Sequence, residues 1–142
     1  MKIRDVMTGP LETINADAPI KAAAQKMKIN DIGSLPVRDG QRLVGFVTDR
    51  DIVIRGDANG RASLDTPVRE VMSPEVVCCF EDQELAEATK VMEEKKIRRL
   101  PIVDREMRPV GMLSLGDVAK RGKDAHLAGS LLRKVAKAPS DR

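Results

Sequence analysis

The chain has 142 residues, of which 42% are hydrophobic and 33% are charged, a composition typical of a globular protein and not of a disordered chain. It contains two Phe and no Tyr or Trp, which argues against a single-strand nucleic-acid binder built on stacked aromatic side chains. The net charge of +3 comes from the end of the chain, because the residues after 118 carry seven basic and two acidic side chains. The basic character therefore says little about what the first 118 residues bind.

Cysteine usage and hydropathy predict a reducing, cytoplasmic location. The two cysteines, Cys78 and Cys79, are adjacent, and a disulfide between neighbours on a strand would be strained. We therefore expect no disulfide framework. No run of apolar residues approaches the about 18 that indicate a membrane-spanning helix, and the first ten residues lack the apolar core of a signal peptide.

An internal repeat dominates the sequence, with a shift of 65 residues that becomes 66 after one inserted residue. Fourteen of 50 aligned positions are identical, which makes chance an unsatisfactory explanation. The matching segments are Val6-Met7-Thr8 with Val71-Met72-Ser73, Leu35-Pro36-Val37 with Leu100-Pro101-Ile102, and Thr48 and Asp51 with Ser114 and Asp117.

Each copy is predicted to fold as a β-α-β-β-α unit. In the first copy we expect a strand at Leu11–Ile14, a helix capped by Asp17, strands at Leu35–Arg38 and Leu43–Val47, and a short helix at about Asp49–Arg55. In the second copy we expect a strand at Val76–Phe80, a helix capped by Asp82, strands at Arg99–Asp104 and Val110–Leu113, and a helix at Leu115–Arg121. Apolar residues at i, i+3 and i+7 predict the buried face of each long helix: Ile20, Ala23 and Met27, and Leu85, Ala88 and Met92.

The connections between these elements also carry signals. Asp39-Gly40 predicts a hairpin, and the corresponding turn of the second copy falls around Arg105–Arg108. Thr66-Pro67 predicts an N-cap followed by a first-turn proline. Leu127, Leu131, Leu132 and Val135 predict one apolar stripe of a final helix that ends before Ala138-Pro139. The expected organisation is repeat 1 at 1–56, a linker at 57–66, repeat 2 at 67–122 and a basic C-terminal helix or tail at 123–142.

The doubled pattern resembles the CBS-domain pair over about residues 3–121. Its marks are the segments Asp31–Val37 and Gly45–Ile52 in the first copy and Lys96–Ile102 and Gly111–Val118 in the second. The chain is similar to the small stand-alone bacterial and archaeal pairs, the hypoxic response protein among them. The resemblance implies a mixed α/β fold in which two β-α-β-β-α repeats pack sheet against sheet with pseudo-twofold symmetry. It also implies a homodimer.

The resemblance further implies clefts between the repeats for an adenosine-containing ligand, which would be AMP, ADP, ATP or S-adenosylmethionine. We expect no required cofactor, and the spacing of His126 and the two cysteines predicts no metal site. Thr48-x-x-Asp51 and Ser114-x-x-Asp117 match the family's Thr/Ser and Asp ligand positions. A carboxylate can accept hydrogen bonds from both ribose hydroxyls, and a strand that runs into a helix N-terminus favours phosphate. The same spacing is also a capping box, which stabilises a helix start without any ligand, and the two interpretations are compatible.

Other site residues are carried over in the same way. Arg50, Arg98 and Arg99 are candidate phosphate partners, with solvated surface charge as the alternative. In the first copy, the small residues Gly33 and Ser34 leave room for a base. Pro36 and Pro101 are expected to break the strand edge and to offer the base an apolar wall. Thr13 aligns with Cys78 on the first strand of each copy. The predicted ligand-binding residues are Thr13, Ile32, Gly33, Ser34, Pro36, Thr48, Arg50, Asp51, Cys78, Arg98, Arg99, Pro101, Ser114 and Asp117. Because Leu115-Gly116 replaces Asp49-Arg50, we expect unequal clefts, at most one of which binds tightly.

We therefore expect a non-enzymatic regulatory module that binds an adenosine nucleotide and acts on an unidentified protein partner. The alternative is a ligand-independent interaction scaffold that acts through its dimer surface and basic tail, and contact of the tail with nucleic acid is less favoured than helix packing. Catalysis ranks last, because His126 is the only histidine and no P-loop or nucleophile–base pair occurs.

Overall fold

Both repeats fold as the predicted β-α-β-β-α unit in the computed structural model, which describes residues 1–122 and 125–136. The first-repeat unit comprises Glu12–Val76, and the second-repeat unit comprises Met1–Leu11 together with the described residues of 77–136. The segment that precedes the first strand of each repeat thus packs into the unit built by the other repeat. The expected boundaries at 1–56, 57–66, 67–122 and 123–142 remain a prediction about the repeats.

The first-repeat unit is a three-stranded sheet with one long helix. Its elements are β1 (Ile14–Asn15), α1 (Ile20–Asn30), β2 (Ser34–Asp39), β3 (Arg42–Thr48) and α2 (Asp49–Asp51), followed by a π-helical turn at Ile52–Gly56. The sheet order is β1-β2-β3, with β1 parallel and β3 antiparallel to the central β2. Ile20, Ala23 and Met27 are buried, which confirms the predicted face of α1.

The second-repeat unit repeats this plan and adds a helix. Its elements are β4 (Cys79–Phe80), α3 (Leu85–Lys95), β5 (Arg99–Val103), β6 (Pro109–Ser114), α4 (Leu115–Arg121) and α5 (Ala125–Val135). The sheet order is β4-β5-β6, with the same parallel and antiparallel pairings. Leu85, Ala88 and Met92 are buried on α3, again as the sequence predicts.

The hairpins also form where expected. Asp39 pairs with Arg42 across the first, and Gly40 adopts φ +61°, a left-handed conformation that glycine takes at little cost. In the second, the Asp104 amide donates to the Arg108 carbonyl at 2.9 Å and closes the longer turn. The extra residue of the second copy is therefore absorbed in this turn.

The predicted N-caps are wrong. Pro19 and Glu84 occupy the cap positions of α1 and α3, and the carboxylates of Asp17 and Asp82 bind arginines from other segments. Asp17 Oδ1 accepts from Arg69 Nε at 3.2 Å and Nη2 at 3.1 Å. Asp82 accepts two hydrogen bonds from Arg105, and this pairing lowers the pKa of the carboxyl.

Three further expectations need correction. The first strands are shorter than Leu11–Ile14 and Val76–Phe80, because only two residues of each pair with the central strand. Thr66 is not an N-cap, since Pro67 holds that position of a 3-10 turn at Val68–Glu70. The expected helix at Asp49–Arg55 is α-helical only to Asp51 and continues as the π-helical turn.

Helix α5 buries its apolar stripe inside its own chain. It packs against α3 and α4, where Leu131 and Val135 are fully buried, whereas Leu132 is 53% exposed. Leu132 therefore does not belong to the buried face. The side chain of Leu127 and the predicted helix end before Ala138-Pro139 lie outside the described residues. The burial that the stripe requires does not depend on a second chain.

Candidate functional site

A polar corner forms in the first-repeat unit where β3 enters α2. The Asp51 amide donates to Thr48 Oγ1 at 3.0 Å, and the Thr48 amide donates to Asp51 Oδ2 at 3.0 Å. This reciprocal pair is a capping box, so the predicted cap is confirmed. It fixes the Asp51 carboxylate in one orientation, with Oδ1 3.8 Å from Arg55 Nε.

The loop before β2 lies against this corner. The Asp49 amide donates to the Gly33 carbonyl at 2.9 Å, and Ser34 pairs with Thr48 in the sheet. Gly33 is buried, while Ile32 and Ser34 are half-buried. The structure therefore brings the loop residues and the capping-box residues together. Arg50 projects from α2 and is exposed.

Thr13 lies at the same end of the sheet. It precedes the Ile14–Val37 pair, so the parallel register sets it towards the Ser34 end of β2. Its Oγ1 accepts from Arg38 Nε at 3.1 Å, and its carbonyl accepts from Lys26 Nζ at 2.6 Å. The surroundings of this strand position in the first repeat are therefore polar.

The second-repeat unit contains an equivalent corner where β6 enters α4. The Asp117 amide donates to Ser114 Oγ and the Ser114 amide donates to Asp117 Oδ2, both at 3.0 Å. The Leu115 amide donates to the Arg98 carbonyl at 2.9 Å, which places the loop before β5 against the capping box. Arg98 Nε is buried, and no described residue accepts a hydrogen bond from it. Arg99 pairs with Ser114 in the sheet and is exposed.

Pro36 and Pro101 are buried in the middle strands of their sheets, so the idea that they break a strand edge is wrong. Each is tolerated because the short first strand begins to pair only one residue later, at Val37 and at Ile102. The missing proline N–H therefore interrupts no ladder on that side.

Cys78 takes the position of Thr13 in the second repeat, and both residues are half-buried. Burial raises the pKa of its thiol, and burial raises the pKa of the Cys79 thiol to about 11. Both cysteines are free. The thiols are therefore protonated at neutral pH.

Residues that the sequence argument did not single out complete both corners. Arg121 Nη1 lies 3.4 Å from the Val6 carbonyl and 3.3 Å from the Met7 carbonyl. Arg55 Nη1 makes the equivalent contacts with the carbonyls of Val71 and Met72, at 3.4 and 3.2 Å. The signal was present, because Arg55 and Arg121 are also related by the shift of 66 residues.

The segment held by each arginine continues onto the sheet. Thr8 and Met112 exchange backbone hydrogen bonds of 2.8 and 2.6 Å, and Ser73 and Phe46 exchange bonds of 2.8 and 2.9 Å. Thr8 Oγ1 also donates to Asp117 Oδ1 at 3.1 Å. The repeated Val-Met-[Thr/Ser] motif thus anchors a segment beside each corner.

The described part of the chain contains neither a candidate metal-ligand cluster nor a candidate membrane-spanning helix. No group of three or more His, Cys, Asp or Glu side chains there could hold a metal ion. His126 is exposed on α5. Over residues 1–122 and 125–136, no helix has the length and apolarity needed to cross a membrane.

The comparisons with known proteins identify the family. The CBS domain family model matches residues 3–56 and 68–124. CBS domain-containing protein YhcV of Bacillus subtilis is 40% identical over 134 residues, 94% of each chain. Hypoxic response protein 1 of Mycobacterium tuberculosis is 36% identical over 118 residues, 82% of each chain. Inosine-5'-monophosphate dehydrogenase of Methanocaldococcus jannaschii is 35% identical, but the chain spans only 28% of that enzyme.

Solved structures show the same fold. The structure of Hypoxic Response Protein I with two coordinated zinc ions has a TM-score of 0.73 and 34% identity, covering 85% of this chain and 98% of that one. CBSX2 in complex with AMP has a TM-score of 0.69 and 28% identity, covering 84% and 93%. The CBS domain pair of MJ0100, in complex with 5'-methylthioadenosine and S-adenosyl-L-methionine, has a TM-score of 0.66 and 26% identity, covering 84% and 94%. The chain belongs to the CBS domain family and is a CBS domain pair, a class of regulatory module.

Proposed function

We propose that this CBS domain pair is a non-enzymatic regulatory module that binds an adenosine-containing ligand: AMP, ADP, ATP or S-adenosylmethionine. The Asp51 carboxylate carries the proposal. The Thr48 amide fixes Oδ2 at 3.0 Å, and Oδ1 stands 3.8 Å from Arg55 Nε, beyond hydrogen-bond distance. An oriented carboxylate oxygen of this kind suits a ribose hydroxyl as donor.

The residues around each corner supply the remaining contacts in this proposal. Asp51 and Asp117 bind ribose, while Thr48, Ser114 and the arginines at 50, 98 and 99 bind phosphate. Ile32, Pro36 and Pro101 line the base, Gly33 and Ser34 leave it room, and Thr13 and Cys78 lie near its edge. Solved relatives in complex with AMP and with S-adenosyl-L-methionine support this class of ligand.

Arg98 gives independent support for an anion in the second-repeat unit. Its Nε is buried without an acceptor among the described residues. Leaving a buried donor unpaired costs about 1–3 kcal/mol, and more for a charged group. A phosphate oxygen that accepts a hydrogen bond from this nitrogen would remove that cost. An arginine with a purely structural role would keep the cost without any compensation.

Regulation in this proposal follows from ligand-dependent ordering. A ligand can shift the equilibrium between two conformations of the chain only by the difference in its affinity for them. The conformation favoured by the ligand then presents a different surface to a protein partner. We propose that the chain acts as a homodimer in the cytoplasm, where the free thiols of Cys78 and Cys79 persist.

A ligand panel tests the proposal directly. Melting temperatures are measured with AMP, ADP, ATP and S-adenosylmethionine, with and without Mg²⁺, followed by calorimetric titration of each ligand that produces a shift. A ligand at 100 times its Kd stabilises the chain by about 2.7 kcal/mol, which a melting curve resolves. The absence of any shift across the panel refutes the proposal for these ligands.

Two substitutions assign the site. Asp51→Asn keeps an acceptor for the Thr48 amide but removes the charge and one acceptor oxygen, so it should weaken binding at this corner at least tenfold. Asp49→Asn is the matched control, because this carboxylate is exposed on the same turn and accepts only a local bond from the Arg50 amide. The double variant Asp51→Asn with Asp117→Asn should lose the ligand-induced shift. Retention of the full shift by the double variant would place the ligand elsewhere.

A further inference from the structure

The Asp117 carboxylate is engaged on both of its oxygens. Oδ2 accepts from the Ser114 amide at 3.0 Å, which is part of the capping box. Oδ1 accepts from the Thr8 hydroxyl at 3.1 Å, although these residues are 109 positions apart in the chain. Oδ1 is the oxygen that takes no part in the capping box, so a ligand hydroxyl can bind it without disturbing the cap of α4.

Thr8 Oγ1 also accepts a long hydrogen bond of 3.5 Å from Arg121 Nη1, but most of the contacts that hold Thr8 in this position do not involve its hydroxyl. Its backbone exchanges two hydrogen bonds with Met112, and Arg121 binds the carbonyls of the two residues before it. Adding a Cβ to Gly111 would bring it to 2.8 Å from the Thr8 carbonyl oxygen, so the approach of the two backbones is close. The hydroxyl is therefore presented to Asp117 by a rigid support and not by a freely moving terminus.

The first-repeat unit presents its carboxylate differently. Ser73 occupies the position equivalent to Thr8 and exchanges the same backbone hydrogen bonds with Phe46. The Oδ1 of Asp51 has Arg55 Nε at 3.8 Å as its neighbour, a contact longer than a hydrogen bond. The two corners share a fold but differ in what a ligand must displace.

We propose that the Thr8 hydroxyl is an internal competitor for the ribose-binding oxygen of Asp117. This inference rests on the proposed function and concerns the affinity of its second corner. A ligand hydroxyl that takes the acceptor position of Asp117 Oδ1 used by Thr8 must first open the Thr8 hydrogen bond, so the apparent Kd is raised by the reciprocal of the open fraction. Occupancy of this corner releases the Thr8 hydroxyl and couples the ligand to the N-terminal segment.

The test uses AMP and calorimetric titration in two backgrounds that isolate the corners. Asp51→Asn reports the Asp117 corner, and Asp117→Asn reports the Asp51 corner. Adding Thr8→Val to Asp51→Asn removes the hydroxyl but keeps the side-chain shape and the backbone bonds, and should tighten AMP about three- to tenfold. Thr8→Ser retains the hydroxyl and should leave the affinity within about twofold of the Asp51→Asn parent.

Ser73→Ala in the Asp117→Asn background is the matched control and should change AMP affinity less than about twofold. Thr8→Ala serves as a second variant in case valine disturbs the pairing with Met112. If AMP binding is unchanged or weaker in both Thr8→Val and Thr8→Ala, the inference is overturned and the proposed function stands. The same holds if AMP binds only at the Asp51 corner, whether or not Thr8 is replaced. Absence of AMP binding in the wild type and in every variant overturns the inference and removes AMP from the proposed function.

Discussion

The two repeat units share their supports and differ at the positions that would meet a ligand. Both have the capping box at the corner, the arginine that holds the Val-Met carbonyls and the glycine beneath the docked segment. They differ at the first strand, where Thr13 is replaced by Cys78, and at the corner carboxylate, where Arg55 neighbours Asp51 but Thr8 binds Asp117. The residues that the two units share are those that support the fold. The two corners can therefore bind different ligands without any change in the fold.

A second difference lies in how the long helices are covered. In the second-repeat unit α5 packs against α3, whereas in the first-repeat unit the linker covers the start of α1, with the Lys21 amide donating to the Ser63 carbonyl at 3.1 Å. The second-repeat unit thus depends on a helix outside the repeated β-α-β-β-α pattern.

Removing the buried anchor of α5 should have the largest effect. Leu131 is fully buried, so Leu131→Ala should destabilise the chain by about 3 kcal/mol through lost burial and a residual cavity. Leu132→Ala is the matched control on the same helix and should cost less than about 0.5 kcal/mol, because Leu132 is 53% exposed. Urea denaturation measures both. Equal losses in the two variants would mean that α5 does not pack through Leu131.

The glycines beneath the docked segments should separate the two units next. A Cβ at Gly45 would lie 2.2 Å from the Ser73 carbonyl oxygen, and one at Gly111 would lie 2.8 Å from the Thr8 carbonyl oxygen. Gly45→Ala should therefore destabilise by about 2–3 kcal/mol and Gly111→Ala by about 1 kcal/mol, since the backbone must shift further in the first unit.

Gly116→Ala provides the control for these variants. Its Cβ would meet only Ser114 Oγ, at an ordinary 3.6 Å, and it lies inside α4. Because alanine favours a helix, this change should stabilise the chain by about 0.5–1 kcal/mol. Denaturation midpoints for the three variants should fall in the order 45, 111, 116 from the least to the most stable. A loss at Gly116 as large as at Gly45 would show that the close backbone approach is not the cause.

Sequence reasoning succeeds here where the determining contacts are local. The helix faces, the hairpin at Asp39-Gly40 and the capping boxes at Thr48 and Ser114 each depend on residues within a few positions of one another. The 65-residue shift revealed the repeat, the doubled motifs carried the resemblance to the CBS family, and both that family and the mixed α/β architecture are confirmed. The ligand-binding roles of the site residues stay predictions.

Contacts between distant segments were beyond the sequence argument. Asp17 has the spacing of an N-cap, but Arg69, 52 positions away, takes its carboxylate. The Thr8–Asp117 bond joins residues 109 positions apart, and no local pattern indicates it. Extending the 66-residue shift by two positions would have shown Arg55 and Arg121, because repeat identity records a shared contact even when its partner is remote.

The smallest expected difference between the units concerns Cys79 on the first strand of the second repeat, and it shows only at alkaline pH. Ile14 in the first repeat corresponds to Cys79 in the second, and both are buried. Burial raises the pKa of the Cys79 thiol from 9.0 to about 11, so the folded chain holds this proton more tightly than the unfolded chain does. The resulting stability is fully present below pH 9 and is lost as the pH rises towards 11.

Cys79→Val tests this directly, since valine supplies an aliphatic side chain like that of Ile14 and cannot ionise. Wild type should lose about 1 kcal/mol more than Cys79→Val between pH 8 and pH 10, measured by urea denaturation at each pH. At pH 7 the two should differ by less than about 1 kcal/mol, because the thiol is protonated in both folded and unfolded chains. Cys78→Ala should retain most of the alkaline loss, as Cys79 remains. Parallel pH profiles for wild type and Cys79→Val would mean that the thiol titrates alike in both states and that the second-repeat strand is open to solvent at this position.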